Sequence, residues 1–476
     1  MDFVEPGSSI ALAWSSSPKY LRLNNKKHRN MYYIKGKYTN ALMTLDNFEE
    51  ALVNQVYTMI NHVAFDKPIA IMIDGHAGKG SCVGFTMPLS NKIVPSTIGV
   101  DGSCGLTSVN FGKITLPNLE ELEKEIREYV PTGMRVRENN KRNGKLPDFS
   151  FEKQFPWKKA NDLLKSFSVA YNKKFNTSYT IPEFDYNWFI KTCKRVNMDA
   201  KRAEMSISSM GSGNHFQSID KSDKTNEIWF TVHTGSRNFG KCVCVYHEEL
   251  AKKELENKRS VILRDKIEEI KKTTEDKTKI QSLIVLTKKE LGLASDVSLS
   301  GMEYLEGQNA FNYFIDMIFI NTYASFNRQC IVETVCEILN KKPIETIETV
   351  HNYIDFRDFI IRKGAIRSYI GEKMVIPLNM KDGILICEGK TNSDWNFSAP
   401  HGAGRKMSRS QSRKVIDFEK YKEQMIGICT TSVCESTIDE APDNYKDSKM
   451  IEEMIEPTAI IIDRLRPILN IKAKSS

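Results

Sequence analysis

Four of the eight histidines fall in short glycine- or asparagine-containing segments between strand-like runs: His215 in GSGNHF, His233 in VHTGSR, His351 in HNY and His401 in PHGAGR. A fifth, His76, stands in IDGHAGKG. One such histidine is ordinarily a polar loop residue and nothing more. Several in the same texture, together with Asp101 and Cys104 in GVDGSCG, point to a shared purpose. An Asp-x-x-Cys pair projects a carboxylate and a thiolate from one tight turn, and imidazoles from elsewhere complete the coordination of one or two metal ions. Glycines let backbone amides approach phosphate closely. Arg237, Arg405 and Arg409 lie near these histidines, and guanidinium groups grip phosphate through paired hydrogen bonds. Metal ligands, phosphate binders and a histidine to spare suggest phosphoryl or nucleotidyl transfer. A cysteine, three histidines and an aspartate form a soft, nitrogen-rich set that ligand preference alone assigns to zinc; spacing leaves the metal open.

The elements that must position these residues differ along the chain. Residues 41–66 read as an amphipathic helix, with Leu42, Leu45, Phe48, Leu52, Val56 and Ile60 at helical spacing. From Pro68 to Ile114 short apolar runs are broken by glycines, the texture of strands joined by tight loops. Residues 117–203 read as mostly helical and charged, and strands with glycine-rich loops return over 205–245. Residues 247–292 are expected to form a helical hairpin whose charges make a solvated face, a decoration rather than a functional arm. A further helix is expected from Gln308 to Leu339. After His351 the chain again reads as strands and glycine turns, ending on an apolar strand, Ile468–Ile471, behind Pro467. There is no internal repeat and no clear linker. Chemically suggestive residues in separated segments favour one interwoven α+β unit over 1–476, with the hairpin inserted in it.

Composition bounds the setting. The chain has 476 residues, 40% hydrophobic and 27% charged, which excludes a disordered polymer. A net charge of +8 permits a polyanionic partner without demanding one. The first residues, MDFVEPGSS, lack a basic-then-apolar signal pattern. No apolar run reaches the roughly 18 residues a membrane span needs, so no membrane partner is expected. Ten cysteines are scattered from Cys82 to Cys434 without the dense spacing of a disulfide scaffold, and a reducing cytoplasm is the simplest setting.

At these same residues the chain resembles the RtcB family of RNA-splicing ligases. IDGHAGKGSCVGFTMP with IGVDGSCG is similar to the family's paired glycine-rich and VGVD-x-x-CG motifs. SMGSGNHF resembles its GTGNHF motif and VHTGSRNFG its HSGSRG motif. HNY, RKGAIRS, PHGAGRKMSR, DEAPDNYKD and a C-terminal DRLRPILNIK follow in the family's order, so the resemblance runs from about residue 70 to 472. It implies a mixed α/β globule around a deep metal cleft. It implies two manganese ions held by Asp101, Cys104, His215, His233 and His351, with the cysteine sulfur bridging, and so resolves the metal toward manganese. It implies His401 as the histidine that takes GMP from GTP. Guanylate contacts fall on Asn214, on His215 and Phe216 of the same motif, on His351 and Asn352, on Pro377 and Met380, on His401, Gly402, Ala403 and Gly404, and on Lys472. The implied reaction joins RNA ends bearing a 3′-phosphate or 2′,3′-cyclic phosphate to 5′-hydroxyl ends, with Arg237 and Arg405 as candidates for holding RNA phosphates. Nothing in these motifs names an activating protein partner.

The chain departs from the family where the nucleotide would sit. Ser218 replaces a glutamate three residues after the GNHF histidine, and Pro377-Leu378-Asn379-Met380 replaces a PGSM loop. Ile384 and Pro400 stand where serines are usual, and Asn238 where a glycine is. Leucine and isoleucine side chains cannot hydrogen-bond a purine, so the expectation is a weaker preference for GTP, with ATP as an acceptable substitute. Two other readings remain. A manganese phosphoesterase that opens cyclic phosphates would need neither His401 nor Lys472, and a non-catalytic RNA-binding protein would be expected to lose a metal ligand; none is lost.

Overall fold

The computed structural model describes residues 20–22, 31–44, 49–140, 146–290 and 301–474. Helix and strand are interleaved throughout, as an α+β chain requires. Two seven-stranded sheets carry the architecture. The first runs Tyr20–Arg22, Met31–Lys35, Asn40–Thr44, Ile69–His76, Val83–Pro88, Ile360–Lys363, Asn352–Asp355, antiparallel except where Asn40–Thr44 meets Ile69–His76. The second is antiparallel throughout, in the order Glu345–Val350, Gly105–Asn110, Ile228–Thr234, Phe216–Ser222, Ala459–Ile471, Gly383–Gly389, Lys373–Asn379. The chain passes from the edge strand of one sheet to the edge strand of the other across a single residue, His351.

The helix Gly307–Leu339 is apolar on nearly every side and is correspondingly buried, with Phe311, Phe314, Phe319 and Phe326 in the largest apolar cluster. Phe319 stacks on Phe155 with ring centroids 4.9 Å apart. Asn340, in the left-handed conformation at φ 49°, ends this helix. Among the charged helices of residues 117–203, Asn118, Asp185 and Asp199 cap their first turns by accepting backbone N–H bonds.

Five expectations need correction. Two lie after His351, where helices Arg409–Val415, Phe418–Gln424 and Ser448–Met454 interrupt the strands and the last strand, Ala459–Ile471, begins before Pro467. Residues 41–66 are not one helix: Asn40–Thr44 is a strand, and the helix is Glu50–Ile60, burying Leu52, Val56, Met59 and Ile60. Pairing with strands on both sides outweighs the helical period there; Leu45 and Phe48 lie outside the described residues. Strand texture over 205–245 is confined to 216–234, because a helix begins at Arg237. That helix, Arg237–Thr273, turns into Ile280–Glu290 to make the hairpin, so the hairpin starts earlier than 247, and residues 291–292 lie outside the described residues. Among the described residues no helix is long and apolar enough to cross a membrane.

Candidate metal and nucleotide site

The second sheet gathers the candidate ligands at one end of its strands. Cys104 precedes strand Gly105–Asn110, which pairs Gly105 with Thr234 and with Val350. Phe216 pairs with His233, so His215 and His233 are neighbours across a ladder. His233 is therefore a strand residue rather than a loop one. The Asp101–Cys104 turn is held by Ser103 N–H donating to the Asn352 carbonyl (2.6 Å) and by Ser236 Oγ donating to the Gly102 carbonyl (2.6 Å). A side chain at Gly235 would sit 2.7 Å from an Asp101 carboxylate oxygen, so the HTGSR turn needs glycine there.

Two residues of the buried helix fasten these segments together. Arg328, fully buried, donates to the carbonyls of Ser103 (3.0 Å) and Thr234 (2.9 Å) and to Glu348 (2.8 Å) on the strand that leads into His351. Asn327 donates to the carbonyls of Ser209 and Gly235. One helix turn thus indexes the segments that bear Cys104, His215, His233 and His351.

The donor atoms converge. Cys104 Sγ lies 3.1 Å from both His215 Nε2 and His233 Nε2, His215 Nε2 lies 3.1 Å from Asp101 Oδ2, and His233 Nε2 lies 3.2 Å from His351 Nε2. The donor atoms of Cys104, His215 and His233 all fall within 4.8 Å of one another. Burial and neighbouring imidazoles push His233 and His351 well below the usual histidine value, leaving neutral rings with lone pairs to offer. Burial and then the Asp101 carboxylate push the Cys104 thiol well up, so a cation must displace its proton. Burial works against the Asp101 carboxylate, yet the charge and hydrogen bond of His215 hold it at about 2. Lone pairs of sulfur, nitrogen and oxygen facing one another in a dry site repel unless protons or a cation lie between them. This donor set fits a metal ion.

His401 stands beside this cluster, its ring centroid 4.9 Å from that of His351. Its Nδ1–H donates to Asp74 Oδ2 at 2.6 Å, and the same oxygen accepts the His401 backbone N–H at 3.1 Å. Asp74 is fully buried, while His401 keeps part of its ring open. Nε2 is then the nitrogen that carries the lone pair. Gly404, at φ 69°, passes so close that a side chain there would meet the Asp74 carbonyl at 2.6 Å.

His401, Gly402, Ala403 and Gly404 line a cavity of about 330 Å³, within the range of small-ligand sites. The candidates Asn214, Phe216, Pro377, Met380 and Lys472 line it too, and so do His233, His351 and Asn352. Asp101, Cys104 and His215 do not line it, although Cys104 touches His233, which does. Lys472 Nζ pairs with Glu440 at 2.8 Å, and Arg409 pairs with Asp439 at 2.7 Å and with Glu440. Although burial opposes it, Lys472 and Arg409 hold Glu440 at about 2. Arg405 lines the cavity but donates to the Asp439 carbonyl (2.7 Å) and Ser412 (3.2 Å). Arg237 does not line the cavity and donates to the Gly133 carbonyl (2.6 Å) and Ser209 (3.1 Å). Both arginines named for RNA phosphate thus spend donors on the protein itself. His76 lines the cavity as well, with burial lowering its pKa.

The sequence matches the family described as tRNA-splicing ligase RtcB over residues 55–473. The chain belongs to the RtcB family. It is similar to RNA-splicing ligase RtcB1 of Escherichia coli, 26% identical over 426 residues, covering 85% of this chain and 90% of that one. RNA-splicing ligase RtcB of Escherichia coli K12 is 25% identical with the same coverage. tRNA-splicing ligase RtcB of Aeropyrum pernix is 23% identical over 461 residues, covering 84% of this chain and 86% of that one.

Of the departures from the RtcB motifs, Ser218, Leu378, Asn379 and Ile384 line the cavity, whereas Pro400 and Asn238 do not. Leu378 and Ile384 are buried. Asn379 spends its side chain on a turn, donating to Asp382 (2.7 Å) and accepting from the backbone of Lys381 and Asp382. Sequence reasoning missed Asp74, Arg328, Asn327 and Glu440. Asp74 and Glu440 stand inside motifs that were noticed, IDGHAGKG and DEAPDNYKD, and a carboxylate in a motif full of candidate ligands was the available signal.

Proposed function

We propose that this chain is a GTP- and manganese-dependent RNA ligase that joins 3′-phosphate or 2′,3′-cyclic-phosphate ends to 5′-hydroxyl ends through a guanylate carried on His401. The observation that carries the reading is the Asp74–His401 pair, which leaves Nε2 free in the cavity beside a cluster of metal donors.

His401 Nε2 attacks the α-phosphorus of GTP; the bond to the bridging oxygen breaks and pyrophosphate leaves with its electron pair. The imidazole becomes positively charged as it attacks, and the Asp74 carboxylate stabilises that charge. Lys472 and Arg409, preset by Glu440 and Asp439, bind phosphate oxygens. Asp101, Cys104, His215, His233 and His351 would hold manganese, which when bound would supply charge to offset the triphosphate. A cyclic RNA end is first opened to a 3′-phosphate. An oxygen of that phosphate takes the guanylate from His401, and the 5′-hydroxyl oxygen then attacks the activated phosphorus, releasing GMP.

We read residues 1–476 as one ligase unit, with the hairpin an appendage. All ten cysteines are free thiols, which supports a reducing, cytoplasmic setting. A phosphoesterase on the same frame would have no use for the Asp74–His401 pair. The deciding assay offers two labelled RNA pairs to the protein with GTP and manganese. RNA with 3′-phosphate and 5′-hydroxyl ends is joined; efficient joining of 3′-hydroxyl to 5′-phosphate ends would overturn the reading.

A further inference from the structure

Strand Phe216–Ser222 places Phe216, Ser218 and Asp220 on one face, and all three line the cavity that holds His401. The alternate residue Ile219 points into an apolar core. Asp220 is fully buried. One of its oxygens accepts the Ser218 hydroxyl at 2.7 Å, and the other is buried with no hydrogen-bond partner. Burial holds its pKa up at about 7, with only the Ser218 hydroxyl acting against it. A carboxylate left half-satisfied in an apolar wall is costly, and such costs concentrate where a ligand supplies the missing donors.

The surroundings say which donors. Leu378 and Ile384, both buried and apolar, line the same space. Asn470, opposite Ser218 in the ladder, also lines it and has its amide oxygen buried without a partner. A planar base packed against apolar side chains, showing N–H groups to a carboxylate, fits this arrangement. Guanine offers N1–H and N2–H side by side, matching the two oxygens of a carboxylate. Adenine offers a donor beside the acceptor N1, which a carboxylate repels.

Resting on the ligase reading above, we propose that Asp220 reads the nucleotide base in this chain, accepting hydrogen bonds from N1–H and N2–H of guanine. Ser218, which stands where the family carries a glutamate, is too short to reach the base itself and instead orients Asp220. The carboxylate has moved two residues along the same strand face and remains in the cavity. The weaker GTP preference expected from Ser218, Leu378 and Ile384 is therefore offset, and the protein selects GTP over ATP.

Asp220→Asn keeps the shape and converts one acceptor into a donor, a pattern that suits adenine. Initial rates of His401 labelling by GTP, ITP and ATP are compared in the native protein and the variant, with equilibrium binding of GDP and ADP in parallel. The GTP-to-ATP ratio should fall by about 5- to 150-fold in the variant, the size of one base contact. In the native protein ITP, which lacks the N2 amine, should be used at least about fivefold less well than GTP; this arm needs no variant to fold. A ratio unchanged within about twofold in a folded variant, or equal use of ITP and GTP, overturns the inference while leaving the ligase standing. Binding of GDP over ADP that depends on Asp220, with no labelling of His401 by any nucleotide, would contradict the ligase reading and uphold this one.

Discussion

Replacing Asp74 tests how the nucleophile is made. Its buried carboxylate oxygen accepts both the backbone N–H and the Nδ1–H of His401. In Asp74→Asn the amide oxygen can take that position, so the tautomer survives and only the charge is lost. A hydrogen bond to a charged group contributes about 1.5–3 kcal/mol and a neutral one about 0.5–1.5. The difference, about 1–2 kcal/mol, slows attack by Nε2 about 5- to 30-fold at about 1.4 kcal/mol per decade. Asp74→Ala also frees the ring to rotate and removes the acceptor that fixes the proton on Nδ1, and the loss should reach at least about 100-fold. Single-turnover transfer of label from α-labelled GTP gives the rates, and metal content and melting temperature show that the fold survives. The graded order is the signature: native fastest, Asn intermediate, Ala slowest. An Ala variant within about threefold of the native rate would refute the role given to Asp74.

Cys104→Ala removes the one sulfur that touches both His215 and His233 and should lower bound manganese by more than any single histidine replacement does. Elemental analysis checks this, and two ions still bound per chain would rule out a shared thiolate. Asp220 gives a pH dependence of defined sign. Its pKa is raised from 3.8 to about 7, so the native state keeps a proton that the unfolded chain has released. The stability this group gives is full below 3.8, falls as pH rises to about 7 and stays lost above it. Asp220→Asn should therefore stabilise the protein relative to the native sequence at pH 8, by on the order of 4 kcal/mol at most, and not near pH 4. Denaturant midpoints at the two pH values decide it, and an equal difference at both would contradict the buried, proton-holding state.

What was legible in the sequence, and what was not, follows from distance along the chain. His215, His233, His351, Cys104 and Asp101 were visible because each sits in a glycine- or asparagine-marked segment in or beside the end of a strand. That they meet was not readable from periodicity, since ladders and the Arg328 and Asn327 bonds bring them together. Asp74 is 327 residues from His401, and no local pattern announces such a pair. The 41–66 misreading has a similar cause: Leu42 fits a helical period, but strand partners at Met31–Lys35 and Ile69–His76 decide its state. Asp220 stayed hidden because only the fold shows that it shares a face with Ser218 and a cavity with His401. The long helix Gly307–Leu339 lay almost where it was expected, since its apolar character is local and continuous.

The central claim is that His401 carries the guanylate. The protein is incubated with manganese and α-labelled GTP, and the acid-labile label is mapped by peptide analysis in the native chain and in His401→Ala. Label on the peptide that contains His401, absent from a variant that still binds metal, is the predicted result. Label surviving in His401→Ala, or mapping to another residue, would contradict the account.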